Sequence, residues 1–164
     1  MDDFRSQPAS FDSSRHEGPG PGPEQLLELG DLPLDDDAAL LERVRTLVQR
    51  GFVRRLWLVL LDDESRQLPV MPQIEEMPRS PGADAVQVLA QLLDQVGEFC
   101  TAVAFVLERP GRPRPEPDDL AWADAIARAA SGSPVRLRAV LLAHGVGVDP
   151  VEPSEQEPPR IVAA

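Results

Sequence analysis

Residues 103–123 read VAFVLERPGRPRPEPDDLAWA, and this stretch decides the fold. The opening VAFVL is a continuous apolar run, typical of a strand that is covered on both faces of a sheet. A loop stiffened by prolines follows, and Asp118 and Asp119 then open a helical pattern. This order predicts an α/β unit, in which functional residues usually lie at the carboxyl end of the strand. The loop contains no His, Cys, Ser, Thr or Lys, so the position of an active site lacks the usual catalytic side chains.

The composition limits the class of protein. Of 164 residues, 42% are hydrophobic and only 4% are aromatic, which predicts one domain with an aliphatic core. All 16 basic residues are arginine, and the chain has no lysine, asparagine or tyrosine, as is typical of a GC-rich genome of the actinobacterial kind. Without lysine, the chain has neither a Schiff-base lysine nor a P-loop lysine. The single cysteine excludes an internal disulfide and fits a reducing compartment.

Charge and hydropathy indicate where the protein works and what it binds. We expect a cytoplasmic protein without a membrane partner, because no apolar run has the character of a signal peptide or the length of a bilayer span. The net charge of −12 disfavours nucleic acid as a partner. The two histidines and one cysteine are too few to predict a metal site, and no motif predicts a cofactor.

Proline, glycine and acidic residues divide the chain into three parts. Residues 1–35 include the run GPGPGP and predict a disordered arm. Within the arm, residues 24–29 read EQLLEL and predict one amphipathic turn, either a docking motif or a frayed helical extension. Residues 36–148 are predicted to form a single α/β domain, and residues 149–164 a disordered, acidic, proline-rich tail.

Hydrophobic periodicity within the domain predicts three helices and about four strands. We expect helices over residues 37–50 and 83–96, and a third that starts at Pro117 or Asp118 and runs to Ala130. Strands are expected over residues 52–61, 67–71, 101–107 and 135–143. The order α-β-β-α-β-α-β predicts an α/β (α+β) fold with a small mixed sheet and packed helices. Connections through helices favour parallel pairing, and the hairpin adds an antiparallel strand.

Four titratable residues are candidates for acid–base chemistry. They are Glu108 at the end of a strand, Asp118 and Asp119 at a helix start, and His144 before a glycine-containing loop. Each also has a structural interpretation, because a helix N-terminus favours negative charge and a histidine can complete a turn. No serine or cysteine nucleophile lies beside His144 in the sequence.

Arginines supply the candidate binding surface. Arg109, Arg112 and Arg114 lie between prolines and, with Arg136 and Arg138, are predicted to bind an acidic protein surface. In the last strand, Arg136 and Arg138 are expected on the face opposite Leu137, Ala139 and Leu141. A nucleic-acid role is the alternative, although the loop has no aromatic residue that could stack on a base.

Residues 57–148 resemble the RadC-like branch of the JAB-domain (MPN-type) metalloprotease fold. In that family a strand ends in His-x-His-Pro, and a proline-rich loop then leads to an Asp at the next helix start. Here the strand ends in Leu107-Glu108-Arg109-Pro110, prolines follow, and Asp118-Asp119 opens the helix. The two motif histidines fall on Leu107 and Arg109, and only Asp119 has a counterpart. Since catalytic zinc needs about three protein ligands, the resemblance implies an inactive, metal-free member.

The leading hypothesis is a non-catalytic intracellular domain that binds or regulates a protein partner. It depends on the missing catalytic constellation and on the arginine loop. The alternatives are an enzyme that uses Glu108, Asp118, Asp119 and His144, or a nucleic-acid accessory protein that binds through the arginines. A homo-oligomer is compatible with each hypothesis.

Overall fold

Five strands form one mixed sheet in the order β2-β1-β3-β4-β5. The computed structural model describes residues 32–153. The elements are α1 (Asp37–Val48), β1 (Arg55–Leu61), β2 (Gln73–Glu75), α2 (Ala85–Val96), β3 (Ala102–Glu108), α3 (Pro117–Ser131), β4 (Arg136–Ala143) and β5 (Val148–Pro150). The predicted α+β class with three helices is confirmed. No helix in the described range has the length and apolar character that a membrane crossing requires.

Strand β3 lies at the centre of the sheet, and all seven of its residues are buried. This is the environment that its continuous apolar run predicts. Strand β1 pairs with β3 in antiparallel orientation, whereas β4 pairs with β3 in parallel orientation. The expected parallel pairing therefore holds only for β3 and β4, which α3 connects.

Helices cover both faces of the sheet. Helices α2 and α3 pack on one face, where Leu93 and Ile126 share a cluster with Phe105 of β3. Helix α1 covers the other face and buries Leu40 and Val44 completely. The result is a three-layer arrangement that leaves the ends of the strands accessible for a site.

The hairpin after β1 differs from its prediction. The returning strand was expected at residues 67–71, but β2 comprises Gln73–Glu75. Only an isolated bridge joins Leu61 to Gln67, and the segment between it and β2 contains Pro69 and Pro72. Because proline has no backbone N–H to donate, regular pairing resumes only beyond these residues.

A bulge in β4 corrects the predicted faces of that strand. Val103 pairs with Leu137, but the next residue of β3, Ala104, pairs with Ala139, so Arg138 is the extra residue. Leu137 therefore packs with the cluster under α2 and α3, whereas Ala139 packs under α1. The predicted common face for Leu137 and Ala139 is wrong, because a bulge of one residue reverses the alternation.

Residues on the far side of both predicted boundaries pack against the domain. Leu34 is buried although residues 1–35 were assigned to the arm. Residues 148–150 form β5 against β4, and Val151 donates its N–H to the carbonyl of Val140, although the tail was assigned from residue 149. The remainder of both predicted segments, residues 1–31 and 154–164, lies outside the described residues.

Candidate interaction site

Three loops meet where β3 and β4 end. They comprise residues 49–54, 109–116 and 144–147, and backbone hydrogen bonds join them. Gly51 donates its N–H to the His144 carbonyl at 2.7 Å, and Gly145 donates to the Gly111 carbonyl at 2.9 Å. The loops therefore form one connected surface at the carboxyl end of the parallel strand pair, where α/β proteins commonly place ligands.

Gly51 allows the loop of residues 49–54 to lie directly against the ends of β3 and β4. A Cβ atom at this position would lie 2.2 Å from the Arg109 carbonyl oxygen and 2.3 Å from that of Ala143. Both obstacles are backbone atoms, one in β4 and one directly after β3, so they cannot yield as the end of a flexible side chain could. Only glycine therefore fits, because it lacks the Cβ atom.

The backbone just before Gly51 is strained. Gln49 has φ 63° and ψ −63°, and Arg50 donates its N–H to the Val48 carbonyl at 2.7 Å. This is a γ-turn with positive φ, which is rare and unfavourable for a non-glycine residue. Strained residues of this kind cluster at binding and catalytic sites, so the turn marks this loop as a functional candidate.

Arg109 is buried, which contradicts its prediction as an exposed binding residue. Its guanidinium is only 2% exposed and holds the Asp119 carboxylate, with Nη2–Oδ2 at 2.7 Å and Nε–Oδ1 at 3.0 Å. This hydrogen-bonded pairing raises the pKa of Arg109, since the neighbouring carboxylate favours the charged form. Sequence spacing gave no sign of the pair, because the two residues belong to different elements.

Arg109 also shapes the proline-rich loop. Its Nη1 donates to the carbonyls of Pro110 and Arg112, and its Nη2 donates to that of Arg114 at 3.1 Å. One buried guanidinium thus satisfies three loop carbonyls. As a result the backbone that carries Arg112 and Arg114 is fixed, while their own side chains are exposed.

Glu108 is a buried anchor. Its carboxylate accepts from the Trp57 indole Nε1 at 2.7 Å and from the Phe52 backbone N–H at 3.1 Å. The Arg55 Nε lies 2.9 Å from the same carboxylate, close enough for an ion pair but without hydrogen-bond alignment. Each partner belongs to the segment that enters β1, so Glu108 fixes that segment rather than facing a substrate.

His144 holds the β4–β5 turn. Its Nδ1 accepts from the backbone N–H groups of Val146 and Gly147, both at 3.2 Å. In the neutral ring the proton then lies on Nε2, which is 2.6 Å from Asp149. One ring nitrogen is bound to the turn backbone and the other to Asp149 of β5, in agreement with the structural interpretation.

The two aspartates at the start of α3 have different partners. Asp118 accepts from the Ser80 hydroxyl, whereas Asp119 accepts from the Glu116 backbone N–H at 2.8 Å and caps the helix. Glu108 and Asp119 border a common cleft, but its volume of about 10 Å³ holds about one water. Asp118 and His144 do not line it. This cleft therefore does not bring the four acid–base candidates together.

The zinc position that the resemblance implies does not fit a zinc ion here. Leu107 is an apolar residue of the core, and the Arg109 guanidinium engages both oxygens of Asp119. Between residues 32 and 153, no group of three histidines, cysteines or acidic residues could hold a metal. The position instead carries a positively charged side chain.

The outer layer of the three loops combines apolar and basic side chains. Phe52 is 63% exposed and Val146 is 77% exposed, and Val53 is also exposed. The Arg50 guanidinium lies 4.9 Å from the centre of the Phe52 ring. Sequence analysis assigned Phe52 and Val53 to the first strand. The available signal was Gly51, which directly precedes Phe52 and could have indicated a loop before the strand.

Arg136 and Arg138 do not belong to this surface. Arg136 pairs with Ala102 at the opposite end of the sheet, and Arg138 donates through Nη2 to the Leu34 carbonyl at 2.8 Å. Because β3 and β4 are parallel, the start of β4 is a strand length away from the loop that follows β3. The predicted single patch of five arginines is therefore reduced to Arg112 and Arg114.

Comparisons of the chain with protein-family models, with curated proteins and with solved structures found no match.

Proposed function

We propose that this protein is a non-catalytic interaction domain that binds an acidic protein partner. The binding site is the three-loop surface, defined as Phe52, Val53, Arg112, Arg114 and Val146. We further propose that the scaffold is that of an inactive JAB-like metalloprotease, in which Arg109 replaces a metal ligand. The cytoplasm is the proposed location, supported by the single cysteine, Cys100, which is buried.

The observation that carries the proposal is a group of exposed apolar residues on loops that are hydrogen-bonded to the arginine-bearing loop. Phe52 and Val146 are large hydrophobic residues that the fold leaves in water, although burial of each would be favourable. Aromatic and arginine side chains supply much of the binding energy in protein interfaces. The loops beneath them are joined by hydrogen bonds, so little backbone freedom is lost on binding.

The arginines indicate the chemistry of the partner. Arg112 and Arg114 are exposed, and the backbone beneath them is held by Arg109. An arginine guanidinium binds carboxylates through paired hydrogen bonds, and here two of them extend from a backbone that is held in place. The matching surface on the partner is an apolar pocket bordered by aspartate or glutamate.

The support for a non-catalytic role comes from the acid–base candidates. Glu108, Asp119 and His144 are buried and already hydrogen-bonded within the protein, and Asp118 accepts from the Ser80 hydroxyl. A general acid or base must reach the proton that it transfers. These groups instead hold the surface in shape.

The test begins with the full chain as bait. The partner is identified by chemical crosslinking and mass spectrometry, is purified, and its affinity is measured by calorimetry. We expect Phe52→Ser and Val146→Ser each to weaken binding about 30-fold, the scale of a residue that contributes about 2 kcal/mol. Arg112→Ala with Arg114→Ala should weaken binding and reduce its salt dependence.

Matched controls lie elsewhere on the molecule. Val88 is 51% exposed on α2, and Arg66 lies in the β1–β2 hairpin, so Val88→Ser and Arg66→Ala should leave the affinity unchanged. Equal losses in site and control variants would contradict the proposed surface. Salt-sensitive binding to generic DNA that the arginine variants abolish would favour a nucleic-acid partner instead.

A further inference from the structure

A second surface lies at the edge of the sheet, away from the three loops. A groove of about 440 Å³ runs between the first turn of α1, strand β4 and residues 150–153. Most of its lining is apolar and includes Leu40, Leu41, Leu137, Leu141 and Val151. Its volume is in the range of pockets that bind ligands in other proteins, and nothing in the three-loop surface involves it.

One donor at this groove lacks an acceptor. Arg138 is the bulged residue of β4 and lines the groove, and its Nη2 donates to the Leu34 carbonyl at 2.8 Å. Its Nη1 is buried and has no hydrogen-bond partner among residues 32–153. A buried donor without a partner costs free energy. An occupant that brings a carboxylate beside apolar side chains would satisfy it.

The N-terminal arm joins the fold at this same place. Leu34 is 3% exposed, and its N–H donates to the Ser65 carbonyl, while its own carbonyl is bound by the groove residue Arg138. Only residues 30–33 separate Leu34 from the EQLLEL segment at residues 24–29. An extended chain of this length reaches at most about 18 Å, so the segment cannot move far from the groove.

We propose that the segment Glu24–Leu29 docks in this groove. Leu26, Leu27 and Leu29 cover the apolar lining, and the carboxylate of Glu24 or Glu28 accepts from Arg138 Nη1. The segment has three leucines within four residues, which match the apolar lining, and flanking acids, which match Arg138. Asp37 and Glu152 also line the groove, but Arg138 Nη1 has no hydrogen bond to either of them. The short connection keeps its effective concentration at the groove high.

The arm fits this groove better than the C-terminal segment does. The chain leaves the groove at Pro153, and the next large apolar pair, Ile161 and Val162, follows two adjacent prolines, Pro158 and Pro159. Proline stiffens the backbone just before that pair, and Ile161 lies eight residues beyond Pro153. The arm joins the fold at Leu34, whose carbonyl accepts from the groove residue Arg138, and Leu29 lies only five residues before it.

Disulfide crosslinking of the full chain tests the proposal. One variant carries Gln25→Cys and Ala38→Cys, which keeps the three leucines and places the second thiol on an exposed residue of the groove. Mild oxidation should give an intramolecular crosslink. It is detected as a change in the electrophoretic mobility of the protein when no reductant is present. The native Cys100 is 6% exposed and does not compete. A control variant of the same chain, with Gln25→Cys and Val88→Cys, should not form this crosslink.

The short connection to Leu34 brings the two thiols together at a certain rate even without docking. A second variant measures this background rate of crosslinking. Adding Leu26→Ser, Leu27→Ser and Leu29→Ser to the first cysteine pair should slow crosslinking about tenfold, because it removes docking and keeps the tether. Arg138→Met in the same pair should also slow it.

Four results would overturn the proposal. One is the absence of a crosslink, and another is an equal rate with and without the three leucines. A third is faster crosslinking between Ile161→Cys and Ala38→Cys, which would assign the groove to the C-terminal segment. The last is an intermolecular product, which would assign it to a second copy of the chain.

Discussion

The guanidinium of Arg109 and the carboxylate of Asp119 form a buried ion pair that joins the end of β3 to the first turn of α3. Their closest atoms are 2.7 Å apart, and the side chains are 2% and 5% exposed. The loop between them is closed by the same guanidinium, which binds three of its carbonyls. One side chain therefore organises the loop that carries two of the proposed binding residues.

We expect Arg109→Met to destabilise the fold by about 3–5 kcal/mol, because it leaves a buried carboxylate without its cation. The free energy of unfolding in urea measures this effect. Arg112→Ala, a change in the same loop at an exposed residue, should leave that free energy unchanged.

A second variant separates the cost of the lone charge from the loss of the loop contacts. Arg109→Met combined with Asp119→Leu removes both charges and should recover part of the stability, since a buried ion pair can often be replaced by apolar groups. If Arg109→Met proved as stable as Arg112→Ala, the pair would have no structural role. This result would also revive the sequence-based prediction that all three loop arginines are exposed.

Gly51 gives a test of the backbone contact between loops. Gly51→Ala places a Cβ within 2.3 Å of two carbonyl oxygens, and we expect a loss of about 3 kcal/mol or more. Gly132→Ala is the matched control, because a Cβ there meets nothing within 4 Å. It should be neutral or slightly stabilising, since alanine reduces the freedom of the unfolded chain. Similar thermal midpoints for the two variants would mean that the loop moves away from the strand ends.

The elements with strong local patterns were predictable. Strand β3, expected at residues 101–107, is found at Ala102–Glu108, and α2 ends at the expected Val96. In β3 the apolar run alone specifies a strand that is buried on both faces. In α2 the spacing of leucine and valine and the following glycine specify the helix and its end.

Features that depend on distant partners were not predictable from the sequence. The bulge at Arg138 arises where β4 pairs with β3 and has one more residue than β3 over the same length. No local sequence pattern in β4 indicates this extra residue. Strand β5 has three residues and ends in a proline, so it has almost no periodicity to detect.

The loop after β3 was singled out from the sequence, and two of its predicted residues, Arg112 and Arg114, belong to the proposed surface. The other residues of that surface were not predicted. Arg109 reads as an exposed loop cation in sequence, because its partner carboxylate comes from the next helix. In the sequence, nothing distinguishes Phe52 and Val146 from core residues. In the structure both are exposed, and each lies next to a loop glycine that packs closely against backbone, Gly51 or Gly145.

Cys100 provides a pH-dependent test of the core. Burial raises the pKa of the Cys100 thiol above its ordinary value of 9.0, so the folded protein keeps a proton that the unfolded chain has already lost. Its contribution to stability is therefore full below pH 9 and is lost as the pH rises through the folded pKa. We expect wild type to lose more unfolding free energy than Cys100→Ala between about pH 8 and about pH 10.

A thiol reagent provides the independent measurement for Cys100. In the native protein the reaction should be slow and limited by opening of the fold, because the side chain is 6% exposed. Addition of urea should make the reaction fast. Rapid labelling of the native protein at neutral pH, or identical pH slopes for wild type and Cys100→Ala, would contradict the buried position.

The Arg109–Asp119 pair also leads to an expectation about metal content. Elemental analysis of the purified protein should find far less than one zinc per chain, because a zinc site needs about three protein ligands and both oxygens of Asp119 are bound to Arg109. Arg109→His removes the cation and supplies one motif histidine, but Leu107 still provides no ligand. This variant should therefore also lack stoichiometric zinc. About one zinc per wild-type chain, lost in Asp119→Ala, would show that the carboxylate binds metal in place of arginine and would reinstate the metalloprotease hypothesis.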